Sequence, residues 1–221
     1  PTLDGGRMHI AKNTVLLAVL SVFLLGWRGC DKPNANSNKE TRASIAQDDL
    51  LKKRDIAIEQ KNPEQVAAAL EQLILQHPDA EASKEWRTQL GQTYMNLGSL
   101  ELAYRVFKGY TKLFPGDENT EEAYYQAVSA KYKQTVRLRN ECDTLEAEKT
   151  IALCNKYLTH PSYQTHREDI TDIKKTCENR LVNKEIYVFD TYLVQGKLAS
   201  AKARLENFKE TFVAKDPSLE P

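Results

Sequence analysis

Of the residues able to do chemistry, Cys30 draws attention first because of what precedes it. In "LLAVLSVFLLGWRGC", residues 16–30, an apolar run ends on a Gly-Cys pair. Residues 14–27 carry no charge, yet fourteen residues fall short of the roughly 20 a helix needs to cross a hydrocarbon core. Arg7, His9 and Lys12 give a weakly basic region before the run, and Met8 reads as the natural start. Basic region, apolar stretch and small residue before a cysteine together make a lipoprotein-type signal, in which cleavage leaves the Cys30 thiol and amine for acylation. Trp27 and Arg28 stand where such signals usually carry Leu and a small residue. An uncut inner-membrane anchor and an ordinary signal peptide or soluble helix are the competing readings. On the leading one, residues 1–29 are leader and signal, and residues 30–44, with "DKPNANSNKETRAS", are a flexible polar linker that can bury nothing.

The remaining reactive side chains do not assemble into a catalytic pattern. Cys142, Cys154 and Cys177 are separated by 12 and 23 residues, which matches no zinc spacing. They read as small apolar residues on helix faces, with a Cys154–Cys177 disulfide as the alternative. The four histidines, at 9, 77, 160 and 166, are scattered. His77 and His160 precede prolines, where a histidine near a helix C-terminus favours the helix dipole. No Ser/His/Asp order, phosphate loop or paired-His motif is present, so no catalytic residue, metal or cofactor is expected. Removing residues 1–29 leaves 28 basic against 30 acidic side chains, which gives no basic face for nucleic acid.

What must position any binding residues is a helical repeat. Nine Gly and eight Pro in 221 residues are few for an all-β chain, while Ala, Leu, Glu, Lys and Gln are plentiful. The segment "WRTQLGQTYMNLGSLELAYRVFKGYTKLFPGD", residues 86–117, fits the 34-residue tetratricopeptide pattern counted from Lys84. Leu90, Gly91, Tyr94, Gly98, Ala103, Phe107 and Pro115 fall at the pattern positions, and Trp86 lies one place early. Gly91 and Ala103 let two helices approach, Gly98 permits the turn, Phe107 fills the space beneath, and Pro115 ends the second helix. Residues 48–79 repeat the plan, with Val66 for the small residue, Leu70 for the aromatic, and Asn62-Pro63 as turn and helix start. A third first-helix runs over 120–134, and "TVRLRNECDT" splits it from a second helix closed by Pro161.

Residues 162–195 contain neither Gly nor Pro, and apolar residues recur from Ile170 to Tyr192 at helical spacing, which predicts one long helix. Gly196 breaks it, and Ala201, Leu205 and Phe208 mark the second helix of a fourth unit. The expected fold is all-α: a right-handed solenoid of about eight helices over residues 45–215, followed by a tail at 216–221.

In such stacks, positions 2, 5, 9, 12 and 13 of each first helix line a concave groove. Here these are Glu85, Thr88, Gln92, Met95 and Asn96 in one unit, and Asp48, Leu51, Asp55, Ile58 and Glu59 in the unit before. Asp55, Thr88, Gln92, Met95 and Asn96 are the candidate peptide-binding residues. Gln92 and Asn96 can reach main-chain groups, and the Met95 thioether adapts to varied side chains. Tyr124, Tyr125, Tyr132 and Tyr187 read as inter-helix core.

This order of features resembles the BamD family, the lipoproteins of the β-barrel assembly machinery, over roughly residues 45–213. Its carriers are the split third unit, with Arg139, Asn140, Glu141, Thr144 and Ala147 after the split. Next come Pro161, Ser162 and Tyr163, and a long helix with Tyr187 and Tyr192 before Gly196. The resemblance implies a lipid-anchored scaffold on the periplasmic face of the outer membrane, without enzymatic activity. Its implied partners are unfolded outer-membrane precursors and the barrel-forming assembly subunit. Asp31 retains some lipoproteins in the inner membrane, so the outer-membrane destination comes from the resemblance alone. A rival reading is a periplasmic repeat adaptor of envelope division or peptidoglycan synthesis.

Overall fold

The computed structural model describes residues 35–137 and 144–214, with side chains from Ser44 onward. Eight α-helices follow in order: α1 (Ala35–Glu59), α2 (Pro63–Gln76), α3 (Ser83–Asn96), α4 (Leu100–Leu113), α5 (Thr120–Arg137), α6 (Leu145–Thr159), α7 (Arg167–Val194) and α8 (Leu198–Phe208). A π-helical turn, Lys209–Val213, continues α8. Each helix packs chiefly on its predecessor and successor, so four hairpins stack into the expected helical solenoid.

Local chemistry sets each turn. Asn62 accepts a hydrogen bond from the Gln65 N–H at 3.1 Å, and Pro63 opens α2 where its missing N–H costs nothing. Gly98 and Gly196 close the second and fourth hairpins with φ of 70° and 69°, a region that strains any residue bearing a Cβ. The expected role of Gly98 therefore holds. Helices α2, α4 and α6 end two residues before Pro78, Pro115 and Pro161. His77 and His160 occupy C-terminal caps, as their positions implied.

The second hairpin shows why the repeat needs its small residues. A Cβ added at Gly91 would lie 2.5 Å from Phe107 Cζ, and Phe107 is itself 1 % exposed. The α3 and α4 backbones meet over a glycine and a fully buried Ala103, and the Phe107 ring fills the remaining space. This core runs continuously from Leu50 through Leu70, Trp86 and Tyr110 to Ala130. A second cluster gathers Val128, Leu153, Cys154, Tyr157, Tyr163 and Ile170. Cys154 and Cys177 are free and fully buried, as small apolar side chains would be, and not joined as a disulfide. Burial pushes their thiols up to about 12 and about 11. Cys30 and Cys142 lie outside the described residues.

Two boundaries and one side chain depart from expectation. The helix predicted over 162–195 is a single helix, but it begins at Arg167. Residues 161–166 form a loop because Tyr163 is buried and the N–H groups of Thr165 and His166 hydrogen-bond to Glu121 of α5 and Tyr157 of α6, contacts a helical path would forgo. Helix α1 starts at Ala35, within the stretch read as linker; polar side chains suffice to continue a helix whose packed end lies further on. Tyr187, read as core, is 51 % exposed, because the second half of α7 has only α8 beside it. No described helix is long and apolar enough to cross a membrane.

Asp117 organises the connection between α4 and α5. It accepts from Tyr110 OH at 2.6 Å and from the Asn119 N–H at 3.0 Å, and pairs with Lys84 at 3.2 Å. The hydrogen bonds from Tyr110 and Asn119, with help from Lys84, outweigh burial and hold its carboxyl at about 2. A carboxyl depressed by folding stabilises the native state above its ordinary value of 3.8, and that contribution disappears as pH falls through the folded value. Thermal melts should therefore show Asp117→Asn less stable than the parent at pH 6, with the gap closing between about pH 4 and pH 2. Gly91→Ala should reverse the usual helix preference for alanine and lose about 1–3 kcal/mol in denaturant unfolding, since the buried Phe107 ring has nowhere to go.

Candidate functional site

Helix α3 presents its predicted groove residues as one strip. Trp86, Leu90 and Tyr94 bury the opposite side, which leaves Glu85, Thr88, Gln92 and Asn96 exposed at successive turns. Gln92 Nε2 donates to Asn96 Oδ1 at 3.2 Å, leaving the Gln92 carbonyl oxygen and the Asn96 amide N–H groups without a partner among the described residues. Thr88 gives its hydroxyl hydrogen to the Lys84 carbonyl at 3.1 Å, so it keeps only acceptor capacity. Met95 is half-buried against the first core, and only part of its thioether faces outward.

Of the α1 candidates, Asp55 is exposed but turned to its own helix, pairing with Arg54 at 2.7 Å. It does not join the α3 residues. Ile58 does come together with them: it lines a depression of about 390 Å³ with Asn96, Gln89 and Thr93 of α3 and the Asn62-Pro63 turn. The usable floor near α1 is thus Ile58 rather than Asp55.

The strip continues where no residue had been assigned. Helix α5 repeats the buried set of α3 thirty-seven residues on, Thr120 for Ser83, Ala123 for Trp86, Ala127 for Leu90 and Lys131 for Tyr94. By the same offset, Glu122, Tyr125, Ser129 and Tyr132 take the places of Glu85, Thr88, Gln92 and Met95. Tyr125 and Tyr132 are half-buried, and Tyr125 stacks on the His166 ring at 3.9 Å between centroids. Carrying the position count into the third unit would have found these residues; the aromatic content of α5 favoured a core reading instead. Tyr124 fits that core reading, packed with Tyr157 and Tyr163, its hydroxyl pushed up to about 12 by burial.

Beneath the strip, the two helices of the split third unit are joined by polar contacts. Lys131 Nζ lies 2.6 Å from Glu146 of α6, 3.3 Å from Glu101 of α4 and 2.9 Å from Gln134 Oε1. Burial alone would lower the Lys131 pKa, but the two carboxylates raise it above its ordinary value. Thr135 and Thr150 share a buried hydroxyl hydrogen bond of 3.0 Å. Residues 138–143, which include three of the residues that carried the family resemblance, lie outside the described residues.

At the far end, α7 and α8 enclose an apolar groove of about 300 Å³ floored by Ile186, Phe189, Leu205 and Phe208. Glu185, Asp190 and Arg204 rim it, with Arg204 and Glu185 3.1 Å apart. Neither this groove nor the α3–α5 strip holds an activated nucleophile or a converging acid and base, and no cluster of metal-ligating side chains occurs among the described residues. What the surface offers is amide, hydroxyl, aromatic and aliphatic contact, the chemistry of protein recognition.

No match to a curated protein was found. The family model described as "YfiO: Outer membrane lipoprotein" matches residues 44–218, from within α1 to beyond the end of α8. The chain therefore belongs to the YfiO family of outer membrane lipoproteins.

Proposed function

We propose that this protein is a non-catalytic scaffold, lipid-anchored through Cys30, which assists the assembly and insertion of outer-membrane β-barrel proteins in the manner of BamD. Membership of an outer membrane lipoprotein family is the observation that carries the reading. Two surfaces support it. The strip on α3 and α5 suits an extended precursor segment: Gln92 and Asn96 offer a free acceptor and free donors to a main chain, while Met95, Tyr125 and Tyr132 offer adaptable and flat apolar contact. The α7–α8 groove, with an apolar floor and charged rim, has the anatomy of a protein interface and suits the barrel-forming assembly subunit.

Crosslinked pull-down of the acylated protein from envelopes tests the role directly. Recovery of the large barrel-assembly subunit is expected; recovery of cell-wall synthases alone would sink the proposal and favour an adaptor of envelope division. Two variants separate the surfaces. Leu205→Glu should cut recovery of the assembly subunit roughly tenfold while leaving precursor binding intact. The double variant Gln92→Ala/Asn96→Ala should keep unfolding stability within about 0.5 kcal/mol of the parent. It should also weaken binding of an unfolded precursor segment by about tenfold in a fluorescence titration, as expected for two lost hydrogen bonds.

A further inference from the structure

Consecutive helices supply nearly all the packing in this solenoid. Helices α5 and α7 are the one non-consecutive pair with more than marginal contact among the described residues. The helices themselves meet where Val128 and Ile170 share a core cluster, and the loop that leads into α7 adds a set of polar contacts to α5. Glu121, in the first turn of α5, accepts on Oε1 from Tyr157 OH at 2.5 Å and from the Thr165 N–H at 2.6 Å. Its Oε2 accepts from Thr165 Oγ1 at 3.1 Å. Tyr157 OH accepts in turn from the His166 N–H at 3.0 Å, so the hydroxyl is engaged on both sides. The His166 ring lies flat on Tyr125, with Nε2 2.8 Å from Glu122 Oε2 and Nδ1 3.9 Å from Asp169. Burial raises the Glu121 pKa, but the hydrogen bonds from Tyr157 and Thr165 outweigh it and hold the carboxyl below its usual range.

A connection between two packed helices needs none of this. Without it, the α7–α8 hairpin would rest on α6 and on the short apolar contact of the α7 N-terminal end with α5, and a hairpin so held can rock about the α6 axis. The polar attachment of the loop to α5 restrains that motion. We propose that residues 163–166 act as a strap, pinned by Glu121 and Glu122, that fixes the angle between the groove-bearing hairpins and the α7–α8 hairpin. The strap sets how far apart, and at what tilt, the two recognition surfaces stand, so loosening it would change their relation while leaving the α3 half of the strip and the α7–α8 groove intact. The inference goes beyond the assembly role and holds whichever partners the two surfaces take.

The test is a distance measurement across the strap. Nitroxides carried on noncanonical residues at the exposed positions Gln72 of α2 and Lys202 of α8 leave the native cysteines untouched. Pulsed electron resonance on the full chain should give one narrow distance distribution, also in Glu148→Ala, an exposed α6 control away from the strap. Glu121→Ala and His166→Ala should each broaden and shift it while circular dichroism stays helical. If Glu121→Ala fails to fold because Tyr157 loses its acceptor, His166→Ala decides, since it removes the Glu122 pair, the Tyr125 stack and the longer Asp169 contact while leaving the Glu121–Tyr157 bond in place. Unchanged distributions in the folded variants would overturn the proposal, as would equal broadening in the control.

Discussion

An ammonium group buried between three helices must be matched by nearby charge, and much of the second half of this solenoid is arranged around that requirement. Lys131 is 8 % exposed and occupies the place in α5 that Tyr94 fills in α3. Its partners come from both sides: Glu101 from the hairpin before and Glu146 from the other half of its own split unit. Its Nζ also lies 5.1 Å from the Tyr104 ring centroid, where the π face adds further attraction. Losing either carboxylate would leave a desolvated charge short of compensation, which is why such a site specifies an arrangement more than it adds net stability. Here the arrangement is the approach of α6 to α5 across residues 138–143. A plain repeat gets that approach from a tight turn; this one gets it from an ion pair and the Thr135–Thr150 hydrogen bond.

The first two hairpins are held differently. Shape decides there: Gly91 and Ala103 admit the Phe107 ring, and the polar contacts tie neighbours together, as when Tyr94 OH donates to Glu71 of the preceding hairpin. Stiff, apolar hairpins at one end and a polar, strapped junction at the other divide the molecule's work. The strip of amides and aromatics sits on packed helices, so its backbone is ordered before anything meets it. The α7–α8 hairpin leaves Ile186, Leu193 and Leu198 exposed beside an apolar groove, an expensive surface in water unless a protein covers it.

Much of this was legible in the chain because repeat architecture writes its geometry in small residues and turn formers. Gly91, Gly98, Phe107, Asn62-Pro63 and the three helix-ending prolines each have one mechanical reason to be where they are, and each sits in the structure as that reason demands. Contacts between residues distant in sequence were not legible. Lys131 reads as a solvated charge on a helix, since its burial depends on carboxylates 30 residues before and 15 after. Residues 162–166 read as helix because they lack Gly and Pro; what unwinds them is hydrogen bonding to Glu121, 44 residues before Thr165. Of the exposed strip, only the α3 half was named from the sequence; the α5 half, Glu122 to Tyr132, requires carrying the position count into the split third unit.

The buried thiols between α6 and α7 bear on how such a domain survives export. With burial pushing Cys177 up to about 11 and Cys154 to about 12, both sulfurs stay as protonated thiols at neutral pH. Thiolate is the species that attacks a disulfide, and both sulfurs are also closed to solvent. Once these helices have packed, neither cysteine can be drawn into mixed disulfides with other exported chains. Among the described residues, the domain thus carries no thiol that an oxidising compartment could exchange once it has folded.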